Sequence, residues 1–195
     1  MCRLITPVAS FTPYWLDLAA SDLTGPAPSD WSKVGTTSPV EWTGTVPPDQ
    51  SLSCSIAKNS TEREYMFTAS GVPGTNGASG DYQLVLRLLT GDANVKLSFQ
   101  VHRVNSSGVV QSSSSTTAEQ VSSSASVLLF SLASVNLGTW AAGDRLRADI
   151  IAHNIKTTGG SITITFALGR RQPQANHHQL AMTVEATVLS SQVIT

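Results

Sequence analysis

Apolar and polar residues alternate one by one over long stretches of this chain. Residues 143–168 show it best: Ile162, Ile164, Phe166 and Leu168 alternate with Ser161, Thr163, Thr165 and Ala167. Successive side chains of a strand point to opposite faces, so this stretch has one apolar face and one small polar face. The β-branched Ile and Thr fit a pleated surface better than a helix. Just before it, Leu146, Ala148, Ile150 and Ala152 oppose Arg147, Asp149, Ile151 and His153, less regularly. Thr157-Thr158-Gly159-Gly160 between the two tolerates a tight turn. The expectation is a half-solvated antiparallel hairpin.

The same style fills the middle of the chain. Residues 81–89 carry Leu84, Leu86 and Leu88 on one face. In residues 95–101, Val95, Leu97, Phe99 and Val101 oppose Lys96, Ser98, Gln100 and, just beyond, His102. Gly91-Asp92-Ala93-Asn94 reads as a hairpin turn joining these two, and Asn105-Ser106-Ser107-Gly108 as the next turn. Residues 64–69 predict a short strand and 71–80 a loop. Residues 127–132 predict a buried strand. A last strand is expected over 179–189, with Leu180, Met182, Val184, Ala186 and Val188 on one face. The run QSSSSTTAEQVSSS, within 109–124, is either a polar edge strand or a long surface loop. About eight strands with turn signals between them, and no long amphipathic helix, predict an all-β fold. The expected architecture is an antiparallel β-sandwich or jelly roll over residues 61–195.

Residues 1–60 break the pattern. Seven of the nine prolines and three of the four tryptophans lie there. Proline removes a backbone donor and fixes φ, which keeps it out of sheet interiors. Yet a disordered tail is poor in aromatics, and this segment holds Phe11, Tyr14, Trp15, Trp31 and Trp42. The expectation is an extended N-terminal arm with these five as interface anchors, lying on its own sandwich or on neighbouring subunits.

The length of 195 residues suits one domain. A chain of this size buries roughly 70% of its unfolded surface and needs no metal or disulfide staple. Charged residues make up 13%, against about a quarter in ordinary soluble domains, and the net charge is −1. Nucleic acid and anionic membrane surfaces call for clustered Lys and Arg, so neither is an expected partner. Few charges with many Ser, Thr and Ala predict a surface covered by neighbours. The two cysteines, Cys2 and Cys54, are expected as unpaired thiols, with a single Cys2–Cys54 disulfide as the alternative. The apolar run at the start is short and interrupted by Pro7, which argues against a signal peptide. No stretch approaches the roughly 18 apolar residues of a membrane helix. The expectation is a soluble protein made in the cytoplasm without a signal peptide.

Chemical motifs are missing. There is no nucleophile elbow, phosphate loop, C-x-x-C or H-E-x-x-H. Gly74, Gly77 and Gly80 belong to a loop rather than a phosphate cradle. His177 and His178 are adjacent and would point apart on an extended chain. His102 and His153 fall on polar strand faces. Sequence does not exclude a Ser-His-Asp triad, whose members can be distant, but nothing points to one. No catalytic residue, cofactor or metal is therefore expected. Asp144 and Arg145 suit a turn-closing carboxylate and a sheet-edge ion pair. Glu62-Arg63-Glu64 suits a solvated strand start, and Arg170-Arg171 an exposed basic pair. Trp140 is the one tryptophan beyond the arm, so an aromatic platform for sugars is poorly supplied.

The stretch GDRLRADIIAHN…GGSITITFAL, the Ser/Thr/Ala-rich strands and the Pro/aromatic arm together resemble tailed-bacteriophage virion proteins built on a jelly roll. These are head decoration (cement) proteins and related head- or tail-fibre proteins. The resemblance implies a non-enzymatic virion component on the capsid exterior. It implies a homotrimer that binds the major capsid protein or another virion protein and stabilises the assembled head. The alternative is a carbohydrate- or receptor-binding sandwich module of a fibre, although the chain has no coiled-coil or β-helical shaft repeat.

Overall fold

The computed structural model describes residues 12–20, 40–43, 50–68, 80–168 and 180–182. The described residues are strands and their connections, without a helix. In chain order the strands are β1 (Thr12–Ala20), β2 (Val40–Thr43), β3 (Gln50–Ile56), β4 (Ser60–Thr68), β5 (Gly80–Thr90) and β6 (Val95–Val104). They continue with β7 (Val110–Ser113), β8 (Gln120–Val121), β9 (Val127–Val135), β10 (Arg145–Asn154), β11 (Ile162–Leu168) and β12 (Leu180–Met182).

Strands β3 to β11 make two antiparallel sheets packed as a β-sandwich. Sheet I runs β4-β10-β6, with β7 and β8 both on the outer edge of β6. Sheet II runs β3-β11-β5-β9. Strands β12, β1 and β2 link β5 of sheet II to β4 of sheet I. The β2–β4 pairing is parallel.

The alternation places the core between the sheets. Leu97, Phe99, Val101, Leu146, Ala148 and Ile150 point inward from sheet I. Leu52, Ile56, Leu84, Leu86, Leu88, Phe130, Ile164 and Phe166 meet them from sheet II. Each fully buried large side chain contributes about 1.5–3 kcal/mol relative to exposure. The sandwich thus has one continuous interior.

Both expected hairpins are corrected by the strand pairing. β10 pairs with β4 and β6, and β11 with β3 and β5, so these two are not partners. Likewise β5 and β6 lie in different sheets. Both connections are arches that carry the chain from one sheet to the other. An apolar face looks the same in sequence whether its neighbour sits beside it or opposite it. Alternation therefore assigns the face of a strand and leaves its partner open.

Four such arches gather at one end: β3 to β4, β5 to β6, β8 to β9 and β10 to β11. Buried Asn154 ties the β10–β11 arch to the β3–β4 arch. Its Nδ2 donates to Ile56 O at 3.1 Å, and its Oδ1 accepts from Lys156 N at 3.0 Å. Ile155 N donates to Asn94 O at 2.9 Å. Serines of the low-complexity run pin the β5–β6 arch. Ser122 Oγ donates to Asp92 O at 2.8 Å, and Gly91 N donates to Ser124 Oγ at 3.0 Å. Gly91 is needed for this approach, since a Cβ there would lie 2.7 Å from the Ser123 backbone.

The region expected as a non-sheet arm contains β1, β2 and β3. In β3, Leu52, Cys54 and Ile56 are core residues, while Ser51, Ser53 and Ser55 face outward. The sandwich therefore begins before residue 61. Proline density hid this short period-two pattern, which starts just after Pro47-Pro48. Cys54 is buried, and Cys2 lies outside the described residues. The strand at 127–132 is one-sided rather than buried, because Leu128 and Phe130 point in while Val127 and Leu129 are exposed. The QSSSS run resolves as an irregular edge: β7, then Ser114 N to Val101 O and Thr117 N to Phe99 O, both at 2.9 Å, then β8. Of the strand expected at 179–189, Leu180–Met182 is described.

Candidate functional site

The outer face of sheet I holds a closed polar cluster. Its members come from four strands through the ladder register. His102 stands opposite Arg147 and Gln100 opposite Asp149 on the β6–β10 ladder. Ser113 of β7 stands opposite His102. Arg63 of β4 reaches in from the other side of β10.

Asp149 is completely buried although it lies on an outward position. A buried carboxylate is tolerated only with good partners. Its Oδ2 accepts from Arg147 Nη2 at 3.0 Å and from Arg63 Nη1 at 3.4 Å. The same oxygen lies 3.1 Å from His102 Nε2, and Oδ1 lies 2.8 Å from Arg147 Nε. Arg63 Nη1 also donates to Gln100 Oε1 at 3.0 Å, and Gln100 Nε2 donates to Ser114 O at 2.8 Å.

His102 is buried, and its Nδ1 lies 2.7 Å from Ser113 Oγ. The carboxylate at Nε2 can only accept, so Nε2 carries the proton. That leaves the Nδ1 lone pair to accept the Ser113 hydroxyl proton. Ser113 itself is exposed. Sequence reasoning named no Ser-His-Asp arrangement. The structure brings Ser113, His102 and Asp149 into one, across 47 residues between His102 and Asp149. The only signal available beforehand was an acid and a base two apart on one strand face, Arg147 and Asp149.

Other charged groups serve the frame. The Asp144 carboxylate accepts from Ala141 N at 2.9 Å, closing the turn before β10, and lies 3.7 Å from Arg103 Nε. Glu62 accepts from Ala57 N at 2.8 Å across the β3–β4 arch. His153 and Lys96 share Glu119 at the surface, at 3.0 and 3.7 Å. Among the described residues, no group of three or more His, Cys, Asp or Glu is placed to hold a metal ion.

The outer face of sheet II is different. Ser51, Ser53 and Ser55 of β3 lie beside Thr163 and Thr165 of β11, and Ser53 and Thr165 hydroxyls meet at 3.0 Å. Val85, Leu89, Val127 and Leu129 continue it on β5 and β9, where Leu129 is 53% exposed. Val121 of β8 is exposed nearby, where Gln120 Nε2 donates to Leu129 O at 2.7 Å. Among the described residues, its charges are Arg87 and, at the far end, Asp81.

Of the expected arm anchors, Tyr14 and Trp15 lie on β1 and Trp42 on β2. The register brings β1 and β2 together as Trp15↔Thr43 and Leu16↔Trp42. Phe11 and Trp31 lie outside the described residues, as do His177, His178, Arg170 and Arg171. Trp140 is buried, and so is every aromatic ring among the described side chains: Tyr82, Phe99, Phe130 and Phe166.

No known protein family and no curated protein matches the chain. Its fold is similar to two crystal structures of a CocE/NonD family hydrolase from Staphylococcus aureus, at 10% identity and TM-scores of 0.53 and 0.50. The likeness covers 92% of this chain and 37% of the hydrolase, so the chain spans well under half of that protein's length. At this identity the similarity concerns the fold. A structure of infectious bursal disease virus, Gx strain, aligns at 9% identity and a TM-score of 0.34 over 85% of this chain and 43% of that one.

Proposed function

We propose that this chain is a structural virion protein that decorates an assembled phage head, bound to the major capsid protein or another virion protein on the capsid exterior. The observation that carries this is the outer face of sheet II, built of Ser, Thr, Val and Leu with Arg87 and Asp81 as its described charges. Depletion of charge is what distinguishes the core of a protein–protein interface from open surface. The low charge content of the whole chain, 13%, supports the same reading. So does the resemblance of its Ser/Thr-rich strands and aromatic N-terminal segment to jelly-roll decoration proteins. The proposed oligomer is a homotrimer, one of the closed symmetric assemblies open to identical subunits. Phe11, Tyr14, Trp15, Trp31 and Trp42 are the proposed anchors of the N-terminal segment. The fibre alternative, a glycan-binding module, draws less support, because the rings among the described side chains are buried and offer no face for a sugar to stack on.

The test is sedimentation of the purified full chain with heads assembled from the capsid protein of the same particle. The expected result is saturable co-sedimentation at a fixed ratio, with heads that resist heat longer. Absence of binding to heads, whether or not immobilised glycans retain the protein, would overturn the proposal.

A further inference from the structure

We propose that Ser113 is a base-activated nucleophile and the site at which this chain accepts an acyl group from an activated carboxylic ester. This goes beyond a structural role. The geometry has three parts. Ser113 is exposed, so a reagent can reach it. Its Oγ lies 2.7 Å from His102 Nδ1, within proton-transfer distance. The His102 ring is held by Asp149 at Nε2, 3.1 Å away, which presents the Nδ1 lone pair to the serine. Asp149 is in turn fixed by Arg147 and Arg63. His102 is the general base, and Asp149 is a positioning residue.

The step balances without any further reactant. Ser113 Oγ attacks the ester carbonyl carbon while its proton moves to His102 Nδ1. The carbon–oxygen bond to the leaving alcohol breaks, and that oxygen takes the proton from Nδ1. An acyl-serine and a free alcohol result. The structure also limits the reaction. Backbone N–H groups near a nucleophile often stabilise the oxyanion, but Ser114 N already donates to Val101 O at 2.9 Å. With that donor committed, only esters with good leaving groups react, and the acyl-serine persists. The class of donor is therefore an aryl ester, whose phenol is the leaving alcohol, and the outcome is a single acylation rather than turnover.

The experiment treats the full-length protein with p-nitrophenyl acetate and locates acetyl groups by peptide mass spectrometry over time. General-base assistance contributes about 100-fold or more, so Ser113 should be acetylated about 100-fold faster than Ser115. Ser115 is the internal control, an exposed serine on the same segment. The ratio should fall as the solution is acidified, because a protonated imidazole accepts nothing. Release of p-nitrophenol should stop near one equivalent, and Ser113→Ala should abolish that burst. His102→Gln, which keeps a polar side chain without the base, should bring Ser113 to the rate of Ser115. If His102→Gln does not fold, the Ser113-to-Ser115 ratio of the native protein across pH decides alone. A ratio within a few-fold of one at every pH would overturn the proposal.

Discussion

The two outer faces of this sandwich are both made by antiparallel strands, and they differ in what holds them. On sheet I, Asp149 gathers Arg147, Arg63 and His102 around one buried carboxylate. On sheet II the corresponding positions are Ser, Thr, Val and Leu, joined by a hydroxyl pair between Ser53 and Thr165. A charged cluster of this kind is stable only when complete, because each member removed leaves another charge unpaired. A face of hydroxyls and aliphatics can lose any one member at small cost. Sheet I is therefore the rigid and chemically specialised side, and sheet II the permissive side that can be given over to a partner.

The largest expected effect is on the charged face. Asp149→Ala should destabilise the fold by about 3–5 kcal/mol, since three cationic or hydrogen-bonding partners lose their common acceptor in a dry site. Urea unfolding midpoints would show it. A loss below about 1 kcal/mol, the range typical of exposed ion pairs, would mean that the cluster is solvated and the contrast between the faces is false.

The inner faces should not differ. Leu97→Ala on sheet I and Leu86→Ala on sheet II, both fully buried, should each cost about 2–5 kcal/mol. A large inequality between them would show that the sheets do not share one core.

Alkaline pH tests the sheet II interior in another way. Burial pushes the Tyr82 hydroxyl well above its ordinary value near 10. The sign follows from linkage. Below that ordinary value both folded and unfolded states keep the proton, and stability is at its full level. Above it the unfolded chain ionises while folded Tyr82 resists, so stability falls as pH rises. Tyr82→Phe should flatten that fall in melts taken above pH 10, and an unchanged slope would place the hydroxyl in contact with water.

The smallest effects on folding belong to the outer face of sheet II. Thr165→Val and Leu129→Lys should each change stability by no more than about 0.5 kcal/mol. Leu129→Lys should nonetheless weaken attachment to heads strongly, because it places a charge in a face proposed to be covered. Unchanged co-sedimentation would remove sheet II from the interface.

Much of the strand inventory was legible in the sequence. Period-two alternation marked β5, β6, β10 and β11, and assigned Leu84, Phe99, Ile150 and Ile164 to the interior. Residue type marked the turns: Asn105 closes its turn by accepting from Ser107 N and Val109 N at 3.0 and 2.9 Å, with Gly108 at φ 79°. The serine-rich run was legible only as an alternative, since hydroxyls suit both an edge and a loop. Ser122, Ser124 and Thr117 took the edge because unpaired backbone groups of β6 and the β5–β6 arch needed partners there. The cluster around Asp149 was not legible, because its members lie on strands whose partnership alternation leaves open.

By itself, then, the sequence determined that the chain is all-β and which face of most strands is apolar, because side-chain direction along a strand is a local property of the backbone. Tertiary structure alone decided that β10 and β11 belong to different sheets, that β3 joins the core, and that Ser113 meets His102. Those outcomes depend on ladder register between segments far apart in the chain, and register is settled by how two apolar faces pack rather than by either strand alone.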